Sequence, residues 1–380
     1  MIRSEMEILI VKLSAIGDVV HTLPALDALH HKFPESNITW LVEEKAWDVI
    51  NDHPYLHRVI VSKRKRWLRD FRKPSLWYHT LKEITVFIRQ LRLKNYDIVI
   101  DFQGLLKSGL LVFLSRGKRK IGYDKSREFS HLFLNEKISP YPLDRHAVER
   151  NMNMVKVLGV KPDGVALDPL EKKLNYSKDG FKTNQHVPPG FAIPIGEEDR
   201  IKVKHFLSAN TIRTSRPLIT INSQGGWSTK LWQPLKMAKL SDRLIETYDA
   251  QIIFTGATDD HQFIGDILSM MEHPAINASG KTSLKELSFL LSLSDVMITT
   301  DSGPMHIASA MDTPIVALFG PTAPWRTGPY SNHAIVLRHD ISCSPCFKRK
   351  CESQACMDGI SVEDVLNAVG KQLAKGGTKS

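Results

Sequence analysis

Apolar residues along this chain come in short unbroken runs. Each run is followed by a polar turn and then by a stretch with helical spacing. Glu7-Ile-Leu-Ile-Val-Lys12 fits a strand covered on both faces. After the turn from Leu13 to Asp18, Val19, Leu23, Leu26 and Leu29 recur at helical spacing to Phe33, and Pro34 stops the helix. Further strands are predicted at Ile38 to Val42, Arg58 to Val61 and Asp97 to Asp101. Helices are predicted from about Leu76 to Leu93 and from Leu105 to Leu114. This alternation means βαβ units and a parallel sheet.

The rhythm lapses from Gly159 to Gly196, a stretch rich in Pro, Gly, Lys and Asp that includes Pro188-Pro189-Gly190. It then restarts. Strands are predicted at Leu218 to Asn222, Gln251 to Thr255, Val296 to Thr300 and Ile315 to Phe319. Helices are predicted over 197–209, 235–248, 260–271, 284–293 and 305–311, with a last amphipathic one over 362–373. The expectation is an α/β chain of two Rossmann-like, doubly wound domains facing a cleft: residues 1–190, with a linker at about 159–196, and residues 197–360. Ligands in such folds sit at the carboxyl ends of the strands.

Charge changes the picture because it is uneven. The net charge is +10. Arg58 to Lys73 holds eight Lys/Arg against one Asp, and Arg116 to Arg127 holds six against one. These two patches in the first half suit a polyanionic partner. No run approaches the ~18 apolar residues of a membrane span. Glu5 and Glu7 stand where a signal peptide would be positive, so a cytoplasmic protein is expected.

Candidate chemistry lies after the strands. Gly17 permits a tight turn after the first strand. Asp18 then either caps the helix or projects as a general base, with His21 one turn on. Ser223-Gln-Gly-Gly226 after the third-quarter strand lets backbone approach a ligand, and Thr229 and Lys230 follow with a hydroxyl and a point charge suited to phosphate. Gly256 to Asp260 forms another acidic turn. Asp301-Ser302-Gly303-Pro304-Met305-His306 opens a helix whose exposed amides suit a phosphate. No G-x-G-x-x-G occurs, so a dinucleotide fingerprint is absent. Gly280-Lys281-Thr282 lacks the earlier glycine of a P-loop, Ala275 standing there, and no Asp-x-Asp is present. All four cysteines, Cys343, Cys346, Cys351 and Cys356, fall within fourteen residues. Their density fits either a structural Zn or iron–sulfur site or free thiols.

Five segments together resemble glycosyltransferase family 9, the lipopolysaccharide heptosyltransferases: Val11 to Pro24, Asp101 to Ser108, His146 to Arg150, Thr229 to Trp232 and Thr300 to His306. The resemblance implies a GT-B fold and inverting, metal-independent transfer of L-glycero-D-manno-heptose from ADP-heptose to the Kdo region of lipopolysaccharide, with no cofactor. It implies that the final helix, 361–380, packs back on the N-terminal domain. It casts Asp18 as the base. On the donor side it places Lys230, Asp260, Asp301, Ser302, Gly303 and His306, with Thr282 bordering adenine. Ser223 and Gln224 stand where the family carries Pro-Gly in the donor loop, and Thr229 is placed with them. On the acceptor side it places Arg64, Arg66, Lys107 and Arg127, to which Lys12, Gly17 and His21 are added. The basic patches then fit an anionic Kdo-lipid A acceptor and attachment to the inner leaflet of the cytoplasmic membrane. Two other classes compete. A sugar-nucleotide epimerase of the same fold needs no polyanion. A nucleic-acid binder would use Trp67, Phe71 and Trp77 for stacking but would leave Asp18, Lys230 and Asp301 idle, so no nucleic-acid partner is expected. Between the first and second heptose as product, the basic patch and the His146 segment resemble the first enzyme and the cysteine cluster the second, and the first is the reading adopted.

Overall fold

The structure is a computed structural model and describes residues 5–160, 181–182 and 191–376. The described residues form two units, 5–160 with 191–194, and 181–182 with 195–376.

The first unit is built on six parallel strands: β1 (Glu7–Val11), β2 (Asn37–Glu43), β3 (Arg58–Ser62), β4 (Tyr96–Asp101), β5 (Gly117–Tyr123) and β6 (Glu136–Ile138), in the order β3-β2-β1-β4-β5-β6. Ile8, Leu9, Ile10 and Val11 are all fully buried. Helices cover both faces of β1, which is why it reads as a continuous apolar run rather than an alternation. On one face Leu9, Val11, Leu41 and Val99 meet Trp67, Phe87 and Val112. Those three come from the helices Arg64–Asp70, Trp77–Leu91 and Leu106–Leu114. Burial of Phe87 and Leu91 there stabilises by about 2 kcal/mol each. The first of these helices was expected only as a basic segment. The helix Ala147–Lys156 and strands β5 and β6 were not expected at all.

The second unit carries seven strands: β7 (Phe181–Lys182), β8 (Leu218–Asn222), β9 (Gln251–Thr255), β10 (Ile276–Asn277), β11 (Val296–Thr300), β12 (Ile315–Phe319) and β13 (Ala334–Arg338). Their order is β10-β9-β8-β11-β12-β13-β7. All pairs are parallel except β13 with β7. Residues 181–182, inside the expected linker, thus add an edge strand to the second sheet; the rest of 161–190 lies outside the described residues.

The last helix, Val362–Gly376, packs into the second unit. Val365, Leu366 and Val369 enter the core of the second unit with Trp232, Met237 and Leu244. Gln372 Nε2 donates to the carbonyls of Ile315 (3.1 Å) and His333 (2.9 Å), fixing the helix to β12 and to the residue before β13. Its apolar stripe is satisfied by the sheet that precedes it in sequence.

Candidate functional site

Among the parallel strands of each sheet the order reverses once, between β1 and β4 and between β8 and β11. The loops leaving the two central strands diverge at such a point and leave a crevice. The expected chemistry collects at these two places.

In the first unit the loops after β1 and β4 are laced together. Gln103 Oε1 accepts the N–H groups of both Leu13 and Ser14 at 3.0 Å. Lys12 Nζ donates to the Phe102 carbonyl at 3.0 Å. Asp18 sits in the short helix Ile16–Val20, half-buried. Its Oδ2 accepts the Ala15 N–H at 3.0 Å, so it closes the helix start and still reaches solvent. Gly17 is buried beneath it. Burial pushes the Lys12 ammonium pKa down, while Asp18 and then Asp101 pull it up. Asp101 was not singled out by its sequence. It is fully buried, accepts from the Gln103 and Gly104 amides and the Ser108 hydroxyl, and is pushed up to about 6 by desolvation. Its signal was its place as the last residue of an apolar strand.

His21 is buried with its ring 5.0 Å from that of His146, edge to face. Asn151 Nδ2 donates to the His21 carbonyl and to Thr22 Oγ1, both at 3.0 Å, and holds the helix Ala147–Lys156 against the turn after Asp18. His21 is therefore part of the packing behind Asp18. Lys107 Nζ donates to Ser14 Oγ (3.1 Å) and Glu43 Oε1 (3.3 Å). Arg64 reaches the same Glu43 oxygen at 3.1 Å. Glu43, which the sequence did not point out, gathers two of the expected acceptor cations at the end of β2. Arg66 is turned elsewhere and pairs with Glu83 at 2.5 and 2.6 Å. It lines, with Glu43, Glu44, Lys65 and Arg69, a cavity of about 250 Å³ beside the ends of β2 and β3. The Arg127 side chain lies outside the described residues.

In the second unit the loops after β8 and β11 meet. Lys230 Nζ lies 2.7 Å from Asp301 Oδ2, and both side chains are almost entirely buried. Thr300 Oγ1 donates to the Gln224 carbonyl at 3.1 Å. Gly225 packs so closely that a Cβ would stand 3.1 Å from Lys230 Cβ. Ser223 is buried at the strand end. Ser302 opens the helix Gly303–Ala310, and its Oγ lies 3.0 Å from Thr299 Oγ1. His306 follows one turn later, buried. Trp227 is flanked by two cations, Lys230 Nζ at 4.5 Å and the Arg349 guanidinium at 4.8 Å from the ring centre. Arg349 was hidden in the cysteine segment.

Three further expected donor residues lie in the loops of this unit. Thr229 is buried, and its hydroxyl donates to the Lys348 carbonyl at 2.8 Å, so it anchors the loop. Asp260 Oδ2 accepts the Ala257 N–H at 2.6 Å and shapes the turn after β9. Thr282 is half-buried just before the Ser283–Glu286 capping box. The two turns are joined, since Gly280 N–H donates to the Gly256 carbonyl at 2.9 Å. Gly280 has φ +70°, and a Cβ there would stand 2.7 Å from Thr258 Oγ1.

None of the four cysteines is in a disulfide, and among the described residues no group of three or more His, Cys, Asp or Glu side chains is placed to hold a metal ion. Cys356 is drawn into the second core while Cys343 and Cys351 face solvent. Their segment braces the loop after β8 through Lys348 and Arg349.

The model of glycosyltransferase family 9 (heptosyltransferase) matches residues 84–357. Lipopolysaccharide heptosyltransferase 1 of Pseudomonas aeruginosa is 30% identical over 355 residues, covering 92% of this chain and 88% of that one. Among solved structures, a glycosyl transferase family 9 protein of Veillonella parvula superposes with a TM-score of 0.75 at 25% identity, covering 99% of each chain. The heptosyltransferase WaaC of E. coli with ADP-2-deoxy-2-fluoro heptose superposes at 0.68 with 25% identity, covering 96% of this chain and 99% of that one.

Proposed function

The chain belongs to glycosyltransferase family 9 and is a heptosyltransferase of lipopolysaccharide core biosynthesis, and from that premise we propose that it moves L-glycero-D-manno-heptose from ADP-heptose to the Kdo of the inner core, with inversion and without a metal ion. The observation that carries this reading is the pair of polar crevices at the two strand-order reversals. One is centred on the carboxylate of Asp18, the other on Lys230 and the start of the helix Gly303–Ala310.

On this reading the donor diphosphate meets the amides at the helix start, with the helix dipole behind them. It carries more charge than Asp301 and replaces it as the partner of Lys230. The cation and the amides stabilise ADP as it departs. The turns at Asp260 and Thr282 border the nucleoside. Asp18 holds the acceptor hydroxyl while that oxygen attacks the anomeric carbon from the face opposite ADP. A carboxylate is a weak base, so it receives the proton late, as the new C–O bond acidifies the oxygen. Arg64 and Lys107, gathered at Glu43, and the cavity beside them receive the anionic groups of Kdo-lipid A. Among the described residues no helix is long and apolar enough to cross a membrane. The enzyme works from the cytoplasmic side, on the surface of the inner leaflet.

The relative named heptosyltransferase 1 supports the choice of Kdo over the first heptose as acceptor. The test is transfer from ADP-heptose, in EDTA, to purified Kdo2-lipid A and to its mono-heptosylated form. Product on the first alone is expected. Product on the second alone overturns the acceptor. No binding of ADP-heptose overturns the donor.

A further inference from the structure

Three helices of the first unit share one core. Trp67, Phe87 and Val112, one from each, pack together on the same face of the sheet. The helices therefore form a single layer, and their opposite sides look outward together. That outward side is unusually apolar. Trp77, Tyr78 and Leu81 are 50%, 82% and 54% exposed at the start of the helix Trp77–Leu91. Leu106, Leu110 and Phe113 are 45%, 46% and 61% exposed. They recur at i, i+4 and i+7, which makes one stripe along the helix Leu106–Leu114. Trp77 Nε1 donates to the Phe71 carbonyl at 2.8 Å, so its polar atom is satisfied and the ring remains outside.

The same layer is strongly basic. Lys63 to Arg92 contains ten Lys/Arg and two carboxylates. Among the described residues, those carboxylates pair with Arg69 (Asp70) and with Arg66 and His79 (Glu83). Arg72, Lys73 and Lys82, all exposed, have no ion pair among the described residues. Aromatic and aliphatic side chains interleaved with unpaired cations suit the boundary between lipid headgroups and acyl chains. A contiguous exposed apolar stripe of this kind marks an interaction surface.

The layer also starts at the candidate site. Glu43 binds Arg64, the first residue of one helix, and Lys107, the second residue of another. Both helices run away from that shared anchor.

We propose that the outer side of this helix layer is the surface by which the enzyme lies on an anionic lipid bilayer, with Trp77, Leu81, Leu110 and Phe113 entering the interface and Arg72, Lys73 and Lys82 meeting lipid phosphates. This rests on the lipid-borne acceptor of the proposed function and names the face that delivers it. The stripe that begins at Leu106 brings the bilayer to the rim of the crevice that holds Lys107 and Asp18.

The test uses the full chain and extruded vesicles. Phosphatidylglycerol-containing vesicles are expected to sediment at least tenfold more protein than pure phosphatidylcholine, and 0.5 M NaCl is expected to release most of it. Trp77→Ser with Leu81→Ser, and Leu110→Ser with Phe113→Ser, are each expected to lower binding at least tenfold. These positions are exposed, so ADP binding should be retained and reports that the fold is intact. No partition into anionic vesicles overturns the proposal, as does partition that neither double variant alters. A dimer in solution that the same substitutions dissolve also overturns it, since the face would then cover a second copy. Transfer to a de-acylated, water-soluble acceptor is read separately. Its loss in the wild-type chain would count against the proposed reaction and leave the vesicle result standing.

Discussion

Lys230 and Asp301, seventy-one residues apart, form a 2.7 Å ion pair that is almost wholly removed from solvent. Removing one partner of such a pair strands the other charge. Lys230→Ala is expected to lower unfolding free energy by about 3–5 kcal/mol. It should also weaken ADP binding about 10–100-fold, the range of one charge-assisted contact. Asp301→Asn frees the ammonium and should bind ADP at least as well as wild type. Calorimetric titration with ADP and a urea melt on both variants check this. Unchanged ADP affinity in Lys230→Ala would remove the lysine from the donor site.

Asp18 closes a turn and is the proposed base, and a single substitution separates the two. Asp18→Asn still offers an oxygen to the Ala15 N–H, so the turn should persist. Turnover is expected to fall about 10²–10⁴-fold, the usual worth of a positioned base, with ADP affinity nearly unchanged. Equal loss of both would make the residue purely structural.

Two buried groups of the first unit titrate with opposite sign. Asp101 is raised to about 6, so its folded form holds a proton that the unfolded chain has released. Its contribution is fully present below about pH 4 and is lost as pH rises through 6. His53 is lowered to about 4 by burial, so its contribution is present above about 6.5 and is lost as pH falls toward 4. The two slopes offset each other between pH 4 and 6. Asp101→Asn should unmask the histidine, so that stability climbs with pH across that window by about 3 kcal/mol. His53→Gln should unmask the aspartate and reverse the slope. Urea melts of the three proteins at pH 4.5, 5.5 and 6.5 decide it; parallel curves would refute the assignment.

Glu83 ties two helices together. It accepts from Trp67 Nε1 at 2.9 Å and from Arg66 at 2.5 and 2.6 Å, and these bonds hold its carboxyl pKa below the usual range. Glu83→Gln should cost about 1–2 kcal/mol and speed amide exchange across 64–70, with ADP binding untouched. Exchange mass spectrometry reads the first, titration the second.

The strands over 218–222, 251–255, 296–300 and 315–319 were legible because central parallel strands are apolar on both faces and end in polar turns. β5 was not legible. Its Gly117-Lys-Arg-Lys120 half lies near the sheet edge with Lys118 and Arg119 exposed, so charge erased the apolar pattern. The helix Arg64–Asp70 was masked in the same way, since only Trp67 is buried. At the site, local features such as the Asp18 turn and the start of the helix Gly303–Ala310 could be read from neighbouring residues. Partners could not. Glu43 meets Arg64 across twenty-one positions and Lys107 across sixty-four, and no local spacing encodes such pairs. The stripe of the final helix states that it must be buried and leaves open against which sheet.

The double acceptance by Gln103 has a consequence for heredity and for engineering. One amide oxygen on the loop after β4 fixes the backbone of Leu13 and Ser14, and so sets where the turn bearing Asp18 begins. The smallest transplantable module is therefore split into two pieces, Val11 to Asp18 and Asp101 to Ser108. A graft or a recombination crossover between them separates a carboxylate from the strut that aims it. Chimeras should keep or lose activity according to whether both pieces come from one parent.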